Sequence, residues 1–125
     1  MSDGFQHLRG LKYNWDSYGG RPVTERSIQY AKIFLTKYKP EWIPSPQVFP
    51  TSIGGVNLEW DGIPFSVEVD LSTNGVIAFC FTRDSGSDAL AEEYEEIFNR
   101  RDWAFGENIR IKNHIALLAE NRNEK

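Results

Sequence analysis

Val56-Asn57-Leu58-Glu59-Trp60-Asp61-Gly62-Ile63-Pro64-Phe65-Ser66-Val67-Glu68-Val69-Asp70-Leu71 is the stretch that decides the fold of this chain. Before Asp61, the apolar Val56, Leu58 and Trp60 alternate with Asn57 and Glu59. After Gly62, Phe65, Val67, Val69 and Leu71 alternate with Ser66, Glu68 and Asp70. Side chains of an extended strand point to opposite faces in turn, so each run has one apolar and one polar face. Asp-Gly between two such runs is a hairpin signal. A two-residue Asp61-Gly62 loop pairs Trp60 with Ile63, Leu58 with Phe65 and Val56 with Val67, and sets Asn57 opposite Ser66. A one-residue slip would bring Glu59 against the apolar set.

Downstream, Ser72-Thr73-Asn74-Gly75 predicts a second turn. The strand from Val76 to about Thr82 that follows is apolar on both faces, with Ile77, Phe79 and Phe81 against Val76, Ala78 and Cys80. Such a strand is expected to be covered on both sides, by a helix or a partner subunit. Asp84-Ser85-Gly86-Ser87 would then cap a helix over about 88–99, whose Leu90, Tyr94, Ile97 and Phe98 have helical spacing. A connector around 102–106 leads to a last helix over about 107–121, presenting Ile111, Ile115 and Leu118.

Upstream, residues 3–12 predict a short helix with Phe5 and Leu8 on one side. A longer helix begins after Thr24, a good N-cap, with Glu25 at the positive end of the helix dipole and Val23 and Ile28 at staple spacing. It ends at Lys39, before Pro40, and buries Ile28, Ala31, Leu35 and Tyr38. Prolines at 46 and 50 confine Val48 to an edge strand or an irregular run. The expected architecture is α+β. An antiparallel meander of three to four strands has N-terminal helices and two C-terminal helices, in one domain over residues 1–125.

The net charge of −4 conceals an uneven distribution. Residues 1–40 carry seven Lys/Arg against three acids, residues 41–99 carry Arg83 against eleven acids, and residues 100–125 carry six basic against four acidic. Phosphate contacts need Lys and Arg, so the acidic middle is not expected to bind nucleic acid directly. No window approaches the roughly 18 consecutive apolar residues of a membrane span. A single cysteine, Cys80, makes no intramolecular bridge, and Met1-Ser2-Asp3-Gly4 has no basic stretch followed by an apolar run. A cytoplasmic location is expected, with no membrane contact and an inert, buried thiol.

Glycine-rich phosphate loops, Cys-x-x-Cys and His-Glu-x-x-His are absent, and no cofactor, catalytic residue or metal ligand is assigned. Three groups of residues stand out. Asp84, Asp88, Glu92, Glu93, Glu95 and Glu96 form an acidic face that could engage a basic surface; the alternative is a solvated helix side. Asn14, Trp15, Asp16 and Tyr18 lie in a loop suited either to an interface or to bonding its own backbone amides. Glu59, Glu68 and Asp70 share the polar side of adjacent strands, as a Mg²⁺-holding nuclease core would place them, or as any solvated sheet face would.

Asn14-Trp15-Asp16-Ser17-Tyr18-Gly19-Gly20-Arg21-Pro22, then Pro46-Gln47-Val48-Phe49-Pro50 and Gly54-Gly55-Val56-Asn57-Leu58-Glu59-Trp60, occur in this order. Over residues 13 to about 80 the chain resembles a group of small bacterial and phage proteins with these elements. The resemblance implies a shared fold and a bacterial cell, or a phage-infected one, as the setting; it transfers no catalytic residue. The expected function is a non-enzymatic binding protein, an inhibitor, antitoxin or anti-defence factor, with a basic protein surface as partner. A metal-dependent hydrolase or nuclease using the sheet carboxylates is one alternative. A homo-oligomeric assembly protein, such as a homodimer through the strand at 76–82, is the other.

Overall fold

The structure, a computed structural model, describes residues 4–84 and 92–121. The architecture is α+β, built on one antiparallel sheet of five strands in sequence order. These are β1 (Gln47–Pro50), β2 (Val56–Trp60), β3 (Phe65–Leu71), β4 (Ile77–Arg83) and β5 (Glu92–Phe98). The helices are α1 (Gln6–Arg9), α2 (Glu25–Tyr38), α3 (Arg100–Ala104) and α4 (Ile109–Ala116), the last continued by a 3₁₀ turn over Leu117–Glu120.

Helix α2 forms where its caps predict. The Thr24 hydroxyl accepts from the Ser27 amide at 3.0 Å, satisfying one of the orphan donors of the first turn. Ile28, Ala31, Phe34 and Tyr38 are buried, and Leu35 is only half-buried. Strand β1 lies at an edge of the sheet, as its prolines require.

The meander differs from expectation at two places. Strands β2 and β3 do pair, but with Trp60 opposite Val67, Leu58 opposite Val69 and Val56 opposite Leu71. The register expected from a two-residue loop would place Pro64 opposite Glu59 inside the ladder. Pro64 would then stand inside β3, a central strand with β4 on its other side, where proline has no amide hydrogen to give to a ladder. The connection lengthens to take Pro64 out of the ladder, shifting the pairing by four residues. Because four is even, the same side chains keep the same face.

The second correction concerns residues 92–98. They are the fifth strand rather than part of a helix over 88–99, and each residue pairs with one of β4, from Arg83 opposite Glu92 to Ile77 opposite Phe98. Helix propensity is a weak preference that tertiary pairing overrides. The helical stripe also fails: Ile97 is 73% exposed and Phe98 1%. Leu90 lies outside the described residues. The segment expected as a connector contains α3.

One face of the sheet makes the core. Val56, Leu58, Val67, Val69, Leu71, Ile77 and Phe79 meet Ile28, Phe34, Trp103, Ile111 and Ile115, all buried. Trp103 donates its indole N–H to the Gly75 carbonyl at 2.7 Å, and its own carbonyl accepts from the Tyr38 hydroxyl at 2.7 Å. The described helices give the other face no such cover. On β4, Ala78 is exposed and Cys80 and Thr82 are half-buried, whereas Ile77, Phe79 and Phe81 are buried. The expected second cover for this strand does not come from the chain's described helices.

Candidate functional site

Strand alternation turns Asn57 and Glu59 of β2, Ser66, Glu68 and Asp70 of β3, Ala78, Cys80 and Thr82 of β4, and Glu93, Glu95 and Ile97 of β5 onto the open face. Across the strands these form rows. Gln47, Glu59, Glu68, Cys80 and Glu95 lie in register in one, and Phe49, Asn57, Asp70, Ala78 and Ile97 in the next. Five carboxylates therefore share a surface on which no outward strand position is Lys or Arg.

Asn57 organises the centre. It is 8% exposed, and its side-chain amide donates to Glu68 at 2.9 Å and to Asp70 at 2.6 Å. Two like charges are thereby held close by a neutral donor. Glu59, half-buried beside them, has its carboxyl pushed above its ordinary value, first by burial and then by the charges of Glu68, Asp61 and Asp70. The Cys80 thiol is also pushed up, by burial and then by Glu95, whose carboxylate lies 3.8 Å from the sulfur. It is half-buried on this face rather than enclosed in the core, and it is not activated. Two shallow hollows of about 230 and 290 Å³ lie on the face, both bordered by Glu68 and Cys80.

Two groups of acids that looked separate in the sequence thus meet on one surface, because β5 is a strand. Glu93 and Glu95 join Glu59, Glu68 and Asp70. Glu92 and Glu96 belong to the opposite side of β5. Glu96 accepts from Arg110 of α4 at 2.7 Å and from the Tyr94 hydroxyl, and Glu92 lies 4.0 Å from Arg83. The Glu96 carboxyl is held below its ordinary value, by Tyr94 and, beyond the opposing effect of burial, by Arg110. Asp84 is exposed at the end of β4, its amide bonded to the Pro64 carbonyl at 2.6 Å. Asp88 lies outside the described residues. Asn57 was missed as a site residue, although its alternation with Glu59 already placed it on the polar side.

The loop at 14–20 binds itself. Asp16 accepts from the amides of Tyr18 at 2.9 Å and Gly20 at 2.8 Å, and Asn14 accepts from Gly19 at 2.7 Å. These bonds hold the Asp16 carboxyl below its ordinary value, the Tyr18 amide contributing most. Trp15 donates to the Arg21 carbonyl at 2.7 Å, while Tyr18 is 91% exposed. The two histidines are far apart: His7 bonds the Val48 carbonyl of edge strand β1, and His114 stacks on Tyr94 of the opposite edge. Among the described residues, no three His, Cys, Asp or Glu side chains are grouped to hold a metal ion. No described helix is long and apolar enough to cross a membrane.

Compared with protein-family models, curated proteins and solved structures, the chain matches none.

Proposed function

We propose that this chain is a non-enzymatic binding protein whose open sheet face receives a Lys/Arg-rich surface of a partner protein. The observation that carries this is the convergence of Glu59, Glu68, Asp70, Glu93 and Glu95 on a face with no described helix over it and no outward Lys or Arg among its described strand positions. Packed carboxylates of one sign raise the local potential and speed the approach of an oppositely charged surface. An acidic face can also compete for a basic nucleic-acid-binding surface, as an inhibitor or antitoxin would.

Association of two copies through the same face would oppose like charges, which disfavours that face as a dimer contact. The partner surface therefore carries the opposite sign.

Affinity capture from a bacterial lysate supplies the partner, and calorimetry with the purified pair supplies the test. Glu93→Lys with Glu95→Lys is expected to weaken binding at least tenfold and to flatten its salt dependence, since exposed charges are screened over about 8 Å at physiological salt. Equal affinity of wild type and variant would exclude the face as the contact.

A further inference from the structure

A cleft beside α3 carries the opposite charge pattern. Arg26 from the first turn of α2 and Arg100 and Arg101 from α3 line it with Tyr30, Asn74 and Phe105, around about 650 Å³. The basic residues come from the two ends of the chain, on either side of the acidic middle.

Arg100 is fixed from three directions. It donates to the Tyr30 hydroxyl at 3.1 Å, and its guanidinium carbon lies 5.5 Å from the Phe105 ring centre. Its aliphatic carbons fill the space over Gly75, where a Cβ would meet them at 3.0–3.1 Å. None of the three arginines is ion-paired with a carboxylate among the described residues. The neighbouring amide side chains are turned the same way. Asn74 uses its oxygen for the Ser72 hydroxyl and the Val76 amide, and Asn99 uses its oxygen for the Asp102 amide. The N–H₂ donor of each has no protein partner among the described residues.

We propose that this cleft binds the phosphate of a nucleoside phosphate, with the guanidiniums on the phosphate oxygens and the Phe105 ring against the base. Three positive charges with no carboxylate partner among the described residues, one of them held in place, fit an anion, and the planar guanidinium fork matches phosphate geometry. The volume suits a small molecule rather than a bare ion. Phe105 is 72% exposed, leaving ring surface for stacking. Binding involves no covalent step and does not depend on the acidic face. The nucleotide is either free or the end of a strand.

Calorimetry on the full chain at low salt decides, using sodium phosphate, AMP and a 5′-phosphorylated single-stranded octanucleotide. AMP is expected to bind one to one and more tightly than phosphate. Arg26→Glu and Arg101→Glu should each weaken it roughly tenfold or more, the scale of one charge-assisted hydrogen bond. Phe105→Ala should bring AMP down to the affinity of phosphate. Glu93→Lys with Glu95→Lys should weaken partner binding but not AMP binding, which separates this site from the sheet face. Tighter binding of the octanucleotide with the same arginine dependence supports the site and identifies a strand end as the source. The proposal is overturned if millimolar AMP gives no heat, if both charge reversals leave its affinity intact, or if only the octanucleotide binds. Circular dichroism checks each variant's fold, and either arginine alone suffices for the test.

Discussion

Glu59 and Glu68 stand directly opposite one another on β2 and β3, two like charges in a cross-strand pair on the open face. Such pairs destabilise a sheet by roughly 0.2–1 kcal/mol. With the folded-state carboxyl of Glu59 raised above its unfolded value, the folded chain binds its proton more tightly than the unfolded one. That preference contributes stability in full below the unfolded value and is lost as pH rises through the folded one. Glu59→Gln is therefore expected to raise the melting temperature at pH 7, with the gain shrinking as pH falls through the carboxylate range. Thermal melts of both proteins at pH 7 and pH 4 check this; a gain of equal size at both would refute it.

Trp103 joins α3 to the β3–β4 turn through its indole and to α2 through its carbonyl, and is fully buried. Trp103→Ala is expected to cost about 3–5 kcal/mol, from the lost burial and the cavity together. Tyr38→Phe leaves the Trp103 carbonyl and the Asn108 amide without the hydroxyl that now serves both, at about 1–3 kcal/mol. Urea denaturation of each variant measures these losses, and a Trp103→Ala variant as stable as wild type would show that α3 is not docked here.

Asn121 stands in for a neighbouring strand at Phe65, accepting from its amide at 2.9 Å and donating to its carbonyl at 3.1 Å. The approach needs Gly62, because a Cβ there would meet the Asn121 amide nitrogen at 2.1 Å. Asn121→Ala and Gly62→Ala should each cost about 1–2 kcal/mol. Both should speed amide exchange at Phe65, and unchanged exchange there would remove the pairing.

Cys80 lies in the same row as Glu59, Glu68 and Glu95, so its thiol can report occupancy of the face. Burial and then Glu95 hold it in the protonated form, and alkylation at pH 7 should be slower than for an unstructured thiol. Glu95→Gln should accelerate it, and a bound partner should block it. Mass spectrometry after timed iodoacetamide exposure follows all three; a rate untouched by Glu95→Gln would mean the carboxylate does not act on the sulfur.

Much of this was legible in the chain and some was not, for physical reasons. Alternation in 56–60 and 65–71 assigns faces correctly even though the register is shifted, because parity survives an even displacement. Thr24 and Pro40 bound α2 because caps and proline act locally. The register turned on Pro64, whose missing amide hydrogen outweighs the attraction of Asp-Gly as a tight turn. Residues 92–98 were illegible because glutamates occupy both sides of β5, which erases the two-residue period. The two on the inner side find Arg83 and Arg110, partners that only the fold supplies. The open face was half-visible: Glu59, Glu68 and Asp70 stand out together, but Glu93 and Glu95 join them only once β5 is paired.

Strand β5 is an edge of the described sheet, and its rim bears Glu92, Glu93, Glu95 and Glu96. A second copy pairing with that rim in parallel register would lay each of these glutamates beside its counterpart. Four like charges on one short edge work against pairing between copies. A lysine-bearing strand meets no such penalty, and neutralising the four glutamates would remove the distinction.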